Sequence, residues 1–330
     1  MNQPDAIQHE LIASLVGGKT VSGSDLAQRL GISRAAVWKR MKALRELGLP
    51  ISANAGAGYR LQHSVQLLDS RAIQRRLSAS AKRRVQTVDV DWQVDSTNSA
   101  LMRRAQLPNA LPAALLAEIQ TGGRGRRGRV WRSNFGGSLM LSLLWQFQHG
   151  MSALAGLSLV AGIATIQALA DLGVDAIGLK WPNDLIAAGR KLAGILIELG
   201  GEAQGPCHAV IGIGINLRLD PATASGIEQD WIDIASLAPN PAPIDRNELA
   251  AALLSRLVES LERFETEGFA AFNEEQARYD ALRGRQVRVS TPSGERGGVA
   301  CGVDDRGALR VRDDEGEFLV ESGEVSVRAK

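Results

Sequence analysis

Apolar positions recur at helical spacing from the start of the chain. Ile7, Leu11, Ile12 and Leu15 share one face of a helix over residues 5–15. Residues 24–31 read as a short helix with serine or aspartate near its start and Gly31 closing it. Ser33 is placed to cap a second helix over residues 34–47, because its hydroxyl can accept from a free amide of the first turn. Val37, Met41 and Leu44 lie on one face of that helix, while Arg34, Lys39, Arg40 and Lys42 fall largely on others. Two extended runs within residues 49–61 then flank a glycine-bearing turn, the pattern of a hairpin wing. A helix, a tight glycine turn, a basic second helix and a wing predict a winged helix-turn-helix.

Beyond residue 86 the pattern mixes strands and helices. Residues 88–94 alternate like a strand and lead into a helix from Ala100. Between Arg132 and Asp171 the chain carries no Asp, Glu, Lys or Arg. Ser152, Ser158, Thr165, Gln167 and many small residues dilute that run, so it reads as a buried strand (139–145) and a buried helix (151–170), not a membrane span. Residues 177–179 read as a strand, Pro182 blocks helix continuation in the 180–186 segment after it, and a hairpin joined by 187–190 is expected between that segment and a strand at 191–198. Residues 210–216 are another apolar strand, with glycines that would admit a ligand close to the backbone or simply pack tightly. Residues 246–272 read as a helix pair with Leu249, Leu253, Leu257 and Leu261 as its core stripe. After Leu282, four alternating runs (286–290, 296–303, 308–312 and 317–320) separated by turns predict a small antiparallel barrel. The class is α+β, divided at 1–64, 65–280 and 281–330.

Composition narrows the chemistry. Two cysteines, Cys207 and Cys301, exclude a disulfide-dense scaffold and a four-cysteine zinc site. The four histidines show no metal-ligand spacing, so no metal site is expected from protein ligands. The polar N-terminus lacks a secretory pattern, which makes a cytoplasmic location the expectation. A net charge of +2 looks neutral until it is resolved along the chain. Residues 1–86 hold 14 Lys and Arg against 5 Asp and Glu, whereas the remainder holds 24 against 31. A basic head on an acidic body suggests a polyanion partner for the head alone. The last 49 residues, with nine charges of each sign, offer no second basic surface.

The body's most unusual stretch is Gly122-Gly-Arg-Gly-Arg-Arg-Gly-Arg-Val-Trp131. Arginines 124, 126, 127 and 129 cannot all be buried unpaired, and arginine's planar fork suits carboxylate and phosphate oxygens. The loop is thus expected to take its order from a bound anion, and its spacing is not that of a Walker A loop. Asp95-Ser-Thr-Asn98, at a strand end, fits either a helix cap or a site for a neutral polar ligand. Lys180-Trp-Pro-Asn-Asp184 and Lys191-Leu-Ala-Gly-Ile-Leu-Ile-Glu198 add a lysine at the edge of an apolar strand, fit to face a substrate or merely to snorkel.

Taken in order, GRGRRGR with its tryptophan, DSTN, KWPND, KLAGILIE and GIGIN resemble the biotin–protein ligases over essentially the whole chain. With the helix-turn-helix, the resemblance is to the bifunctional bacterial form, both ligase and biotin operon repressor. It implies a biotin/lipoate ligase-type mixed-sheet core and an SH3-like C-terminal barrel. It also implies activation of biotin by ATP to biotinyl-5′-AMP, then transfer to a lysine of the biotin carboxyl carrier protein of acetyl-CoA carboxylase. Biotin and ATP are then substrates, Mg²⁺ accompanies ATP, and no cofactor is permanently bound. The resemblance assigns Ser96, Thr97, Asn98, Gln120, Arg124, Gly125, Arg126 and Lys191 to biotin. It assigns Arg124, Arg129, Trp131, Asn183, Asn216 and Trp231 to ATP, with Lys191, Arg126 and Asp184 acting in catalysis. Trp231 reads as a buried tryptophan on its own residues. On the head, Ser24, Ser33, Arg34, Ala35, Trp38, Lys39, Arg40 and Lys42 would meet operator DNA. A ligand-linked homodimer with biotinyl-5′-AMP as corepressor, and no membrane, completes what the resemblance implies. A ligand-sensing regulator without ligase activity, and a lipoate- or octanoyl-transferring relative, are the competing readings.

Overall fold

A computed structural model describes residues 6–46, 48–54, 57–62, 65–107, 112–237, 244–291, 294–321 and 326–329. The expected helix end at Leu47, the wing tip at 55–56 and the division at residue 64 lie outside them.

The head contains α1 (Ala6–Leu15), α2 (Gly23–Leu30) and α3 (Arg34–Glu46), followed by the antiparallel wing strands β1 (Ile51–Asn54) and β2 (Gly58–Leu61). Ser22, not Ser24, caps α2 by accepting from the Asp25 N–H at 3.0 Å. Gly31 ends it in the left-handed conformation that glycine adopts without a Cβ clash. The Ser33 hydroxyl accepts from the Ala36 N–H at 3.1 Å and so caps α3 as its sequence position suggests. Leu11, Ile12, Leu15, Leu26, Val37, Met41 and Leu44 form the head's core, joined by Trp92 and Phe135 from the body.

The body runs α4 (Ser70–Arg76), α5 (Ala79–Arg84), β3 (Thr87–Val94), α6 (Thr97–Ala105), β4 (Ala113–Gln120), β5 (Ser138–Phe147) and α7 (Leu157–Ala170). It continues through β6 (Ile177–Lys180), β7 (Asp184–Ala187), β8 (Arg190–Gly201), β9 (Cys207–Asn216), α8 (Pro221–Ala224), α9 (Arg246–Glu267) and α10 (Asn273–Tyr279). Seven strands form one mixed sheet in the order β3-β4-β5-β9-β8-β7-β6, with β3 and β4 parallel and the other neighbours antiparallel. Strand alternation divides its faces. Leu139, Leu141, Leu143 and Trp145 enter the main core with α7 and with Leu249, Leu253, Leu257 and Leu261 of α9. Leu144, Leu115 and Val210 take the opposite face and pack with Leu101 of α6.

Two expectations need correction, and one is met. The hairpin joined at 187–190 forms between Asp184–Ala187 and Arg190–Gly201, and Ile177–Lys180 adds a second hairpin by pairing with Asp184–Ala187. The helix pair over 246–272 is a single 22-residue helix followed by a 3₁₀ turn at Phe269–Phe272, since nothing before Gly268 interrupts its buried stripe. The C-terminal unit gains a fifth strand. Its antiparallel sheet runs β13-β12-β11-β10-β14, from β10 (Gln286–Thr291), β11 (Gly294–Val303), β12 (Leu309–Asp313), β13 (Gly316–Val320) and β14 (Ser326–Ala329). Among the described residues no helix is long and apolar enough to cross a membrane.

A buried ion pair ties these parts together. Arg246 Nη1 donates to Glu118 Oε2 at 2.8 Å and to the Gln66 carbonyl at 2.7 Å, while Nη2 donates to the Ser138 carbonyl at 3.2 Å. The Leu68 N–H donates to the other Glu118 oxygen at 2.7 Å. The two side chains are only 4% and 3% exposed, so removing one charge strands the other away from water. Glu118→Ala should therefore cost about 3–5 kcal/mol of unfolding free energy in urea titrations. A loss below about 1 kcal/mol would show that the pair does not hold the segment at 66–68 to the sheet.

Candidate functional site

Three glycines let side chains lie directly on the sheet. Gly194 of β8 pairs with Gly214 of β9, and Gly212 pairs with Ser142 of β5, all on one face. A Cβ at Gly214 would stand 2.6 Å from the Trp131 ring, and one at Gly194 would stand 3.2 Å from it. A Cβ at Gly212 would stand 2.1 Å from Asn98 Oδ1. The indole and the amide thus occupy space that any other residue would fill.

Around the amide lies a polar network. Asn98 donates to Glu198 Oε2 at 2.8 Å and to the Leu196 carbonyl at 3.1 Å. Ser142 Oγ lies 2.6 Å from Asn98 Oδ1, to which it can donate, and 2.7 Å from Thr97 Oγ1. Gln120 Oε1 accepts from both the Thr97 N–H and its hydroxyl. Ser96 caps α6, its hydroxyl accepting from the Ser99 N–H at 3.5 Å. Behind this corner, Asp95 receives two hydrogen bonds from Arg103, at 2.7 and 2.9 Å. Those bonds hold the Asp95 carboxyl at about 2 despite some burial, below the ordinary 3.8. Ser142 and Glu198 are participants that sequence reasoning did not single out. A lone serine midway along an apolar strand was the available signal.

The arginine–glycine loop carries backbone hydrogen bonds of its own. The Gly125 N–H donates to the Arg129 carbonyl at 2.7 Å, and the Trp131 N–H donates to the Gly123 carbonyl at 2.9 Å. Its arginines diverge. Arg124 pairs with Glu198 at 3.0 Å. Arg126 donates to Asn183 Oδ1 at 3.3 Å, and burial pushes its guanidinium below its ordinary value, against the pull of nearby Asp184. Arg127 sits at φ 57°, and Arg129 is exposed. Arg126 also walls a cavity of about 210 Å³ bounded by Trp181, Pro182, Ile195, Ile197 and Gly307.

Lys191 stands at the start of β8, its ammonium 2.7 Å from Asp184 Oδ1 and 5.8 Å from the centre of the Trp131 ring. Trp231 comes alongside it in a short parallel bridge, since the Lys191 N–H donates to the Asp230 carbonyl and the Ile232 N–H donates to the Lys191 carbonyl. Asn183 donates to the Ile195 carbonyl at 2.7 Å, and Asn216 donates to the Ile232 carbonyl at 3.2 Å. Lys191, Asp184, Trp131, Asn183, Arg126 and Trp231 therefore cluster at one end of the glycine face. The Trp131 indole N–H is buried with no hydrogen-bond acceptor among the described residues. Among those residues no group of three His, Cys, Asp or Glu side chains could hold a metal ion.

On the head, Ser24, Ser33, Arg34, Ala35, Trp38, Lys39 and Lys42 are exposed, and Arg40 is half-buried. A cationic helix beside a wing on one side, and lysine and arginine beside paired carboxylates on a bare strand surface on the other, define a DNA-reading head fused to a group-activating core.

The comparisons agree with that division. Residues 8–60 match an HTH domain, 90–216 the biotin/lipoate A/B protein ligase family, and 283–328 the biotin protein ligase C-terminal domain. The chain is 39% identical to the bifunctional ligase/repressor BirA of Escherichia coli over 97% of both chains. It is 29% identical to the Bacillus subtilis protein of that name over 95% of this chain and 96% of that one. A biotin protein ligase from Aquifex aeolicus, solved with biotin and ATP, superposes with a TM-score of 0.63 at 27% identity. That structure covers 74% of this chain and all of its own. The chain belongs to the bifunctional biotin–protein ligase/repressor family, and the winged-helix, mixed-sheet and small antiparallel units expected from its sequence are those found.

Two outcomes test the geometry. Gly214→Ala should cost about 1–3 kcal/mol through overpacking, and far less in a Trp131→Ala background, by urea denaturation of the double-mutant cycle. Equal costs in both backgrounds would mean that Trp131 does not need that space. Because the Asp95 pKa is depressed in the fold, its contribution to stability is present above the ordinary 3.8 and is lost as pH falls through about 2. In Arg103→Ala the Asp95 carboxyl should titrate near its ordinary value by NMR; an unmoved midpoint refutes the cause.

Proposed function

We propose that this chain joins biotin to ATP, forming biotinyl-5′-AMP and pyrophosphate, and passes the biotinyl group to a lysine of a biotin carboxyl carrier protein. One observation carries the reading: Lys191, Asp184, Asn183 and Arg126 converge on a sheet surface where glycines let Trp131 lie directly against the strands. In the first step a biotin carboxylate oxygen attacks the α-phosphorus and pyrophosphate leaves. Two anions must approach, and fixed cations offset the repulsion and the charge that develops on the phosphoryl oxygens. Lys191 supplies that charge at the reacting oxygens, and Arg126, held by Asn183, steadies the carboxylate. Asn183 and Asp184 would hold the Mg²⁺ that accompanies ATP, with phosphate and water oxygens completing its shell. In the second step the carrier lysine's neutral amine attacks the biotinyl carbonyl and AMP departs.

Thr97, Asn98 and Gln120 fit the neutral ureido end of biotin, with Ser96 capping the helix that carries Thr97 and Asn98. Arg124 and Gly125 belong to the loop that covers biotin, and Arg129, Trp131, Asn216 and Trp231 to the nucleotide side. Residues 1–64 form the DNA-binding part, 65–280 the catalytic part and 281–330 the C-terminal part. With biotinyl-5′-AMP bound, the chain acts as a homodimeric repressor of a biotin operon in the cytoplasm. The E. coli relative, named a ligase and repressor, supports both roles, and the A. aeolicus relative, solved with biotin and ATP, supports both substrates.

Radiolabelled biotin, ATP and a biotin carboxyl carrier domain should give labelled carrier and pyrophosphate. Lys191→Ala should keep the fold and lower adenylate formation by about 10²–10³-fold; near-wild-type pyrophosphate release would refute its role. Lipoate transfer in place of biotin transfer would overturn the substrate. Operator binding should weaken steeply between about 50 and 200 mM salt, and a flat response would exclude phosphate contacts by the head.

A further inference from the structure

The head exposes one large aromatic side chain where a folded core has no use for it. Trp38 is 59% exposed on α3, while Val37, Met41 and Leu44 are buried beneath it. Positions 34, 38 and 42 fall one above another at four-residue steps, so the indole lies midway along a strip between Arg34 and Lys42. The Lys42 ammonium is 5.8 Å from the ring centre, and Lys42 also reaches Glu46 at 3.9 Å. Ala35, beside Trp38, is small and leaves the indole proud of the helix.

The charge around the ring selects its occupant. An apolar protein surface closing over Trp38 would have to desolvate Arg34, Lys39 and Lys42 with no counter-charge in return, which is costly. A DNA major groove supplies both kinds of contact at once: phosphates on its rims for the cations and thymine C5-methyl groups on its floor for the indole. We propose that Trp38 is a specificity-determining residue that reads thymine by apolar contact with its C5-methyl group. The proposal rests on the DNA-binding reading of the head and adds to it the base that α3 recognises.

The experiment uses the full-length chain with biotin and ATP. A preferred duplex is selected from a random-sequence pool, and each of its thymines is then replaced in turn by deoxyuridine, which pairs identically but lacks the methyl. The wild-type protein should lose about four-fold in affinity at one thymine per half-site, the effect of one buried methyl group. Trp38→Ala should bind the parent duplex more weakly, bind thymine and deoxyuridine duplexes equally, and biotinylate the carrier domain at the wild-type rate. Wild-type binding indifferent to every thymine methyl overturns the proposal while leaving DNA binding intact. So does discrimination that persists in Trp38→Ala. So does a Trp38→Ala protein that loses ligand-linked self-association, which would place a second protein surface over the indole. Failure to enrich any sequence overturns the DNA-binding reading together with the proposal.

Discussion

The Cα atoms of Gly212 and Gly214 lie under Asn98 and Trp131 at distances that exclude even one methyl group. A Cβ at either position would meet those side chains at 2.1 and 2.6 Å, well inside contact distance. Much of the candidate site follows from that constraint. With the indole pressed against the sheet, the loop from Gly123 to Val130 is fixed at its C-terminal end, and the Trp131 N–H returns a hydrogen bond to Gly123. With the amide pressed against the sheet, α6 must start where Thr97 meets β5 and Asn98 meets both β5 and β8. The tertiary positions of both polar clusters are thus set by what is missing from two strand residues.

Charge is arranged on the same frame so that few buried cations stand alone. Lys191 is held by Asp184, Arg124 by Glu198, and Arg126 by Asn183 with Asp184 near. Partial burial would otherwise disfavour the cations of Lys191 and Arg126, while Arg124 stays exposed. Pairing offsets that cost and also fixes the side chains before any substrate arrives. An anion entering this end of the sheet therefore meets donors whose orientation is already set, which is what electrostatic preorganisation requires. The cost is competition, since the carboxylates that hold the cations also repel incoming oxygens.

Local pattern made most elements legible, because helices and strands with one buried face write their period into the chain. The α3 stripe Val37, Met41 and Leu44 and the buried strand β5 both appear as read. The four residues of β7 carry too few positions to show a period, and only the turn at 187–190 marks them as one arm of a hairpin. The two glycines of β9 read either as room for a ligand's approach or as tight packing, and they make room for the protein's own Asn98 and Trp131. Only tertiary structure distinguishes those cases. Ser142 and Glu198 were illegible for the same reason, since their partners lie 44 and 74 or more residues away in sequence. The arginine run was conspicuous, but its pairing depended on which acids the sheet brought within reach.

The boundary between head and body, sought where charge and composition change, is not where the buried clusters divide. Trp92 on β3 and Phe135 after β4 are buried in the head's cluster, with ring centres 5.1 Å apart, and His9 of α1 stands edge-on to Trp92 at 5.6 Å. Both body residues are close in sequence to the site. Trp92 precedes the Asp95–Ser96 corner by three residues, and Phe135 follows Trp131 by four. Glu118, which with Arg246 clamps the segment after the wing, lies two residues before Gln120, the acceptor for Thr97. A residue on an extended strand spans about 3.3 Å, so each of these links is on the order of 10 Å long. Side chains that meet the head and side chains that form the site therefore hang from the same short segments. Trp131 and the Thr97 corner are thus joined to the head's buried cluster by a few residues of chain and by the Glu118–Arg246 pair.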